Sequence, residues 1–352
     1  MGLLILTDLV AAQICKRLVP WWEPRYFERS YRIRSPHYHH DLASNVSVQA
    51  RWGGGEYPYS TNALGFRDAA PRPVSLESKA SRVLLLGDSF TEGLGVPYEE
   101  TFAGILGRAA GTRQIEVLNA AVSSYSPLIH YRKTRHYLER VGLRFDAILV
   151  FLDISDPYDE VNRYRVTRDG QIRSIERRSQ PKDRAADWLR YNSIVGRALT
   201  IALLAFEGRS SPPPFGLGQA AARWSYDEKT FAAYGARGLE LAGQSMDSLL
   251  RLVRRHEIGL TVVIYPWPDQ VIRREADNSH TRFWREWAER NEVPLVNLFP
   301  LFIGAAPPES VLTRYFMPYD LHWSAAGHRL MADSLLGDSK VSQLLGLANG
   351  GP

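Results

Sequence analysis

From Arg82 onward, five apolar runs of strand length alternate with segments of helical period, and this alternation narrows the available folds more than any other feature. The runs are Val83–Gly87, Ile115–Ala121, Ala147–Ile154, Leu260–Trp267 and Pro294–Phe299. Between them lie Thr101–Ala110, Pro127–Val141, Thr230–His256 and His280–Asn291, and a last helix starts near Ser324. Strand–helix alternation predicts βαβ units and a parallel sheet covered on both faces. The expected fold is therefore a three-layer α/β/α sandwich around a five-stranded parallel sheet. Ligands on such sheets bind at the carboxyl ends of the strands.

Residues 81–345 form the expected catalytic domain. Residues 23–80 precede it as an extension of irregular or short β character, with turn signals flanking "RWGGGEYPYSTNALGFRD". Residues 159–225 break the rhythm with a basic stretch and then "SSPPPFG", as an insertion or lid would. Residues 1–22 are harder to place. "GLLILTDLVAAQIC" falls short of the roughly 20 residues that span a bilayer, Asp8 interrupts it, and it lacks the basic start of a signal peptide. Trp21 and Trp22 follow Lys16 and Arg17, as in an interfacial belt. The segment reads either as an incomplete membrane anchor or as an amphipathic helix.

The net charge is +5, with arginines scattered along the chain rather than clustered, and no nucleic-acid-binding motif is present. A nucleic-acid partner is not expected. Cys15 is the single cysteine, which excludes an internal disulfide and a cysteine-based zinc site. The residues before Cys15 lack the small side chains of a lipoprotein cleavage site.

The first strand ends abruptly in "RVLLLGDSFTEGLGV". A serine just past a buried parallel strand stands at the ligand edge of the sheet, and the helix after it offers N–H groups to a developing anion. Ser89 is thus a candidate nucleophile; the plainer reading is a helix N-cap. Serine needs a histidine base and an orienting acid. "YDLHWSAAGHRL" supplies both in Asp320 and His322, while His328 caps or packs in the last helix.

These segments resemble the SGNH (GDSL) hydrolase superfamily. "GDSFTEGLG" resembles its first block, which implies Ser89 as nucleophile. "NAAVSSYSP" resembles the second block, with Ser124 where the family's glycine donates a backbone N–H to the oxyanion. "LDISDPYDE" falls at the third block, with Ser155 in place of the family's asparagine, and "DLHW" resembles the fifth, with Asp320 two residues before His322 rather than three. The resemblance implies a Ser89–His322–Asp320 triad and an oxyanion hole from Ser89, Ser124 and Ser155. Candidate substrate-lining residues are Asp88, Phe90, Asn119, Asp156, Trp267 and Trp323. The expected function is a serine esterase acting on O-acyl, notably O-acetyl, esters of a glycan or small molecule. The alternatives are an O-acyltransferase that modifies a polysaccharide and a weakly catalytic glycan-binding module. The family likeness is to bacterial proteins, with a membrane-associated or periplasmic place expected and the cytoplasm as the remaining option. No cofactor is expected. The acidic cluster Asp153, Asp156, Asp159 and Glu160, and the histidines His37, His39 and His40, read as loop and packing groups rather than a metal site.

Overall fold

The structure, a computed structural model, describes residues 2–18, 27–52, 55–175, 188–189, 192–206, 214–304 and 306–347. The chain divides into two units, one of Tyr31–Ile175 with Pro214–Pro352 and one of Met1–Ser30 with Glu176–Pro213. The expected insertion at 159–225 is thereby split, its two ends belonging to the first unit.

The first unit opens with short strands: β1 (Arg32–Ser35), β2 (His39–Leu42), β3 (Ser47–Trp52), β4 (Gly55–Thr61) and β5 (Arg67–Asp68). The apolar runs then form β6 (Arg82–Leu86), β7 (Glu116–Asn119) and β8 (Ala147–Leu152). A hairpin follows, β9 (Tyr164–Val166) with β10 (Ile172–Ser174), before β11 (Gly259–Ile264) and β12 (Leu295–Asn297). The central sheet runs β12-β11-β8-β6-β7-β5-β4-β3. Its five parallel strands, β12 to β7, are the five apolar runs. The extension adds three antiparallel strands beyond β7, so the sheet has eight strands where five were expected.

The central strands show why their sequences are continuously apolar. Every residue of β6 and of β8 is buried, because helices cover both faces. Phe102–Gly111 packs with Ala325–Gly337, while Pro127–His136 and Asp156–Asn162 pack with Ala236–Arg255. Helix starts follow their caps: Thr101 accepts from the Gly104 N–H, and Ser324 from that of Gly327. His328 lies inside the helix Ala325–Gly337, 1% exposed, with its Nδ1 facing the Phe102 N–H.

The second unit contains the helices Gly2–Leu18 and Ile194–Phe206. No helix among the described residues is long and apolar enough to cross a membrane. Trp21 and Trp22, the stretch from Glu176 to Asp187 and Ser210–Pro213 lie outside the described residues.

Candidate active site

Ser89 stands at the carboxyl end of β6, as the first residue of a short helix, Ser89–Glu92. Asp88 starts that helix by accepting from the Phe90 N–H at 3.0 Å, and Gly93, at φ 79°, ends it. A left-handed turn so soon after the serine suits glycine, which has no Cβ to clash. His322 reaches Ser89 from a turn between the helices Pro308–Tyr315 and Ala325–Gly337. That turn is closed by the Met317 N–H to His322 O hydrogen bond and by pairing of Phe316 with Trp323.

His322 Nε2 lies 2.8 Å from Ser89 Oγ, and His322 Nδ1 lies 2.5 Å from Asp320 Oδ1. The same carboxylate oxygen accepts the His322 backbone N–H at 2.9 Å. This double role explains how a spacing of two residues serves: one oxygen both folds the turn and holds the ring. With Nδ1–H donated to Asp320, Nε2 is left to accept the Ser89 proton. Burial would raise the Asp320 pKa, but hydrogen bonding to His322 and its charge, with neighbouring Trp52, hold it below the usual carboxylate value. Phe90 packs against the imidazole at 4.8 Å, and Trp52 meets it edge-on at 5.3 Å.

The loop carrying Ser124 follows β7. Ser124 sits at φ 66°, the left-handed conformation that a glycine would adopt freely and that costs another residue about 1 kcal/mol. Its carbonyl accepts from the Tyr164 hydroxyl at 2.5 Å. On the preceding residue, the Ser123 N–H donates to Glu92 Oε2 at 2.6 Å, and the Ser123 carbonyl faces His40 Nε2 at 2.8 Å. Burial pushes the His40 pKa down to about 3, so its ring is neutral and can donate one N–H there. Neither the Ser89 nor the Ser124 backbone N–H donates to another group among the described residues.

Other sequence candidates fall elsewhere. The Ser155 hydroxyl lies 2.6 Å from Asp153 Oδ1, which also accepts the Ser155 N–H, so its single proton is committed to that carboxylate. Asn119 is 1% exposed, its amide donating to Thr91 O and accepting from the Ala121 N–H. It braces the helix that begins at Ser89. Asp156 is fully buried and accepts the Asp153 N–H. Trp267 donates its indole N–H to Asp153 Oδ2 at 2.7 Å, and Trp323 is buried against Phe90 and Tyr265. Asp88 accepts from Tyr265 and lies 3.4 Å from Ser89 Oγ. Burial, with the charge of Asp153, raises the carboxyl pKa values of Asp88 and Asp156, and burial raises that of Asp153. Burial brings Asp159 and Glu160 up to about 7. Among the described residues no group of three His, Cys, Asp or Glu side chains is arranged to hold a metal ion.

Three contributors had no clear sequence signal. Glu92 is fully buried and gathers Ser123, Tyr59 and Arg32. Trp52 comes from the extension. Gly216, at φ 63°, presses its backbone on the turn of Asp320 and His322; a Cβ there would stand 2.9 Å from Leu321 N.

A model of the GDSL-like Lipase/Acylhydrolase family matches residues 85–330. No curated protein matches the chain. Among solved structures, a psychrotrophic esterase from Pseudoalteromonas sp. matches at 15% identity and TM-score 0.40, covering 74% of this chain and 97% of that one. An acetylxylan esterase from Geobacillus stearothermophilus matches at 14% and 0.40, covering 78% and 97%. A lipase/acylhydrolase from Enterococcus faecalis matches at 13% and 0.38, covering 76% and 96%.

Proposed function

The chain belongs to the GDSL-like lipase/acylhydrolase family, and from that premise we propose that it is a serine esterase working through Ser89, His322 and Asp320. The observation that carries this reading is the unbroken chain of hydrogen bonds from Ser89 Oγ through the imidazole to Asp320, at 2.8 and 2.5 Å.

Ser89 Oγ attacks the ester carbonyl carbon while its proton passes to His322 Nε2. The carbonyl oxygen becomes an oxyanion held by the Ser89 and Ser124 N–H groups. The C–O bond to the alcohol breaks, and the alcohol leaves with the proton from Nε2. A water then attacks the acyl-enzyme, gives a proton to Nε2, and the acid is released as Ser89 recovers its proton. Asp320 keeps the imidazole in the tautomer that this cycle needs. Ser89 is 9% exposed and stands beside Phe90, a confined setting that suits a short acyl group such as acetyl on a glycan or small molecule.

The test is a fluorophosphonate probe and a p-nitrophenyl acetate burst on wild type and Ser89→Ala. Labelling and burst in wild type alone are the expected result. Equal inertness of the two proteins would refute the acyl-enzyme. A burst that stalls until an oligosaccharide is added would reassign the second half-reaction from water to a sugar hydroxyl.

A further inference from the structure

We propose that the two-helix unit of Gly2–Leu18 and Ile194–Phe206 seats this protein on an anionic lipid bilayer, inserted into one leaflet. The starting point is Asp8, the one charge within the apolar run "GLLILTDLVAAQIC". Its Oδ1 accepts the N–H groups of Ile194 and Val195 at 2.9 and 3.1 Å. Asp8 therefore caps the second helix, its charge set against the positive end of that helix. The residue that breaks the apolar run in sequence is the residue that joins the two apolar helices.

The exposed apolar surface of the protein is concentrated on this unit. Of the seventeen exposed large apolar side chains among the described residues, twelve lie in it. Leu3, Leu4, Ile5 and Leu6 are exposed by 78%, 75%, 57% and 59%. Four successive helical residues point in directions about 100° apart, so together they surround the helix. A protein partner covers one stripe of a helix, whereas acyl chains cover it from every open side. That difference favours lipid over a second copy of the chain.

Length sets the depth. The described helices, of 17 and 13 residues, are about 25 and 20 Å long beside a ~30 Å hydrocarbon core, and the proposal places them in one leaflet. Charge sets the lipid. The segments of this unit hold eleven basic and seven acidic residues, a net +4 of the whole chain's +5. Lys16 and Arg17 lie in the last turn of the first helix, and Trp21 and Trp22 follow after Leu18, Val19 and Pro20, the order found where chains meet headgroups.

The experiment is flotation of the full chain with vesicles of phosphatidylcholine alone and of phosphatidylcholine with phosphatidylglycerol, alongside sedimentation without lipid. Wild type should float with both, roughly tenfold more tightly on the anionic vesicles, and that advantage should vanish in about 0.5 M salt. The double variant Leu4→Asp, Leu199→Asp should lose more than about tenfold in binding with its near-UV circular dichroism unchanged. Ile33→Asp, an exposed apolar position in the other unit, should bind as wild type does. Wild type that fails to float, or a double variant that floats equally well, overturns the proposal. So does a discrete oligomer without lipid that the double variant dissolves while neither protein binds vesicles; the helices would then be covered by a second copy.

Discussion

Glu92→Gln tests how the loop carrying Ser124, the proposed oxyanion donor, is held. The Glu92 carboxylate is fully buried and takes hydrogen bonds from Arg32 at 3.2 and 3.0 Å, from the Tyr59 hydroxyl at 2.6 Å and from the Ser123 N–H at 2.6 Å. Glutamine keeps the shape but replaces one acceptor oxygen with an NH2 group that must face a donor. In either orientation Arg32 loses one of its two acceptors, and the second loss falls on the Tyr59 hydroxyl or on the Ser123 N–H, according to which oxygen is replaced. A lost charge-assisted bond with a buried donor left unpaired costs about 2–3 kcal/mol, which corresponds to a fall of about 3–4 °C in Tm for a chain of this size. If the Ser123 peptide shifts, the adjacent Ser124 N–H leaves the place where the oxyanion forms. Displacing one such donor costs up to roughly 10²-fold in kcat. Steady-state hydrolysis of p-nitrophenyl acetate beside a thermal melt reads both effects: kcat should fall by about tenfold to a hundredfold with KM nearly unchanged. A variant whose Tm drops while kcat stays within about twofold of wild type would refute the coupling of Glu92 to the oxyanion loop.

Asp320→Asn should lower kcat by about 10³–10⁴-fold, because an amide NH2 facing Nδ1 favours the tautomer with its proton on Nε2; an effect under about tenfold would show that the ring is oriented without Asp320. Ser155→Ala should change kcat by less than about threefold while costing about 1 kcal/mol in denaturant stability, since its hydroxyl serves Asp153; a loss of 10² or more would return it to the oxyanion hole. Asp159, raised by burial from the ordinary carboxylate value of 3.8 to about 7, keeps its proton in the folded chain at pH values where the unfolded chain has released it. Its contribution therefore favours folding most below the unfolded pKa and is lost as pH rises towards about 7. Denaturant midpoints between about pH 5 and pH 8 should fall more steeply in wild type than in Asp159→Asn, and equal slopes would contradict the raised pKa.

The five parallel strands and the helices between them were legible along the chain because a strand buried on both faces must be apolar at every position, as β6 and β8 are. The Asp320–His322 pairing was legible for a similar local reason: two residues of chain suffice for one carboxylate to hold both backbone and ring. The extension was harder to place. Its strands are short and half polar, and β5 joins β7 through a single pair, Arg67 with Asn119, so nothing in their local pattern names the sheet they join. The polar residues near the site show the same limit. Ser155, Asn119 and Asp156 have the side chains of a binding cleft, yet each is committed to a neighbouring group. Asp8 reads as a defect in an apolar run until a helix 186 positions away brings it two N–H groups. The sequence by itself determined the layered fold, the serine at a strand end and the Asp320–His322 turn, because periodicity and short spacings are properties of the chain. Only the tertiary structure decided which polar groups are committed to a neighbour. A hydrogen-bond partner is chosen by proximity in space, and Ser89 and His322, 233 residues apart, meet only once the sheet has formed.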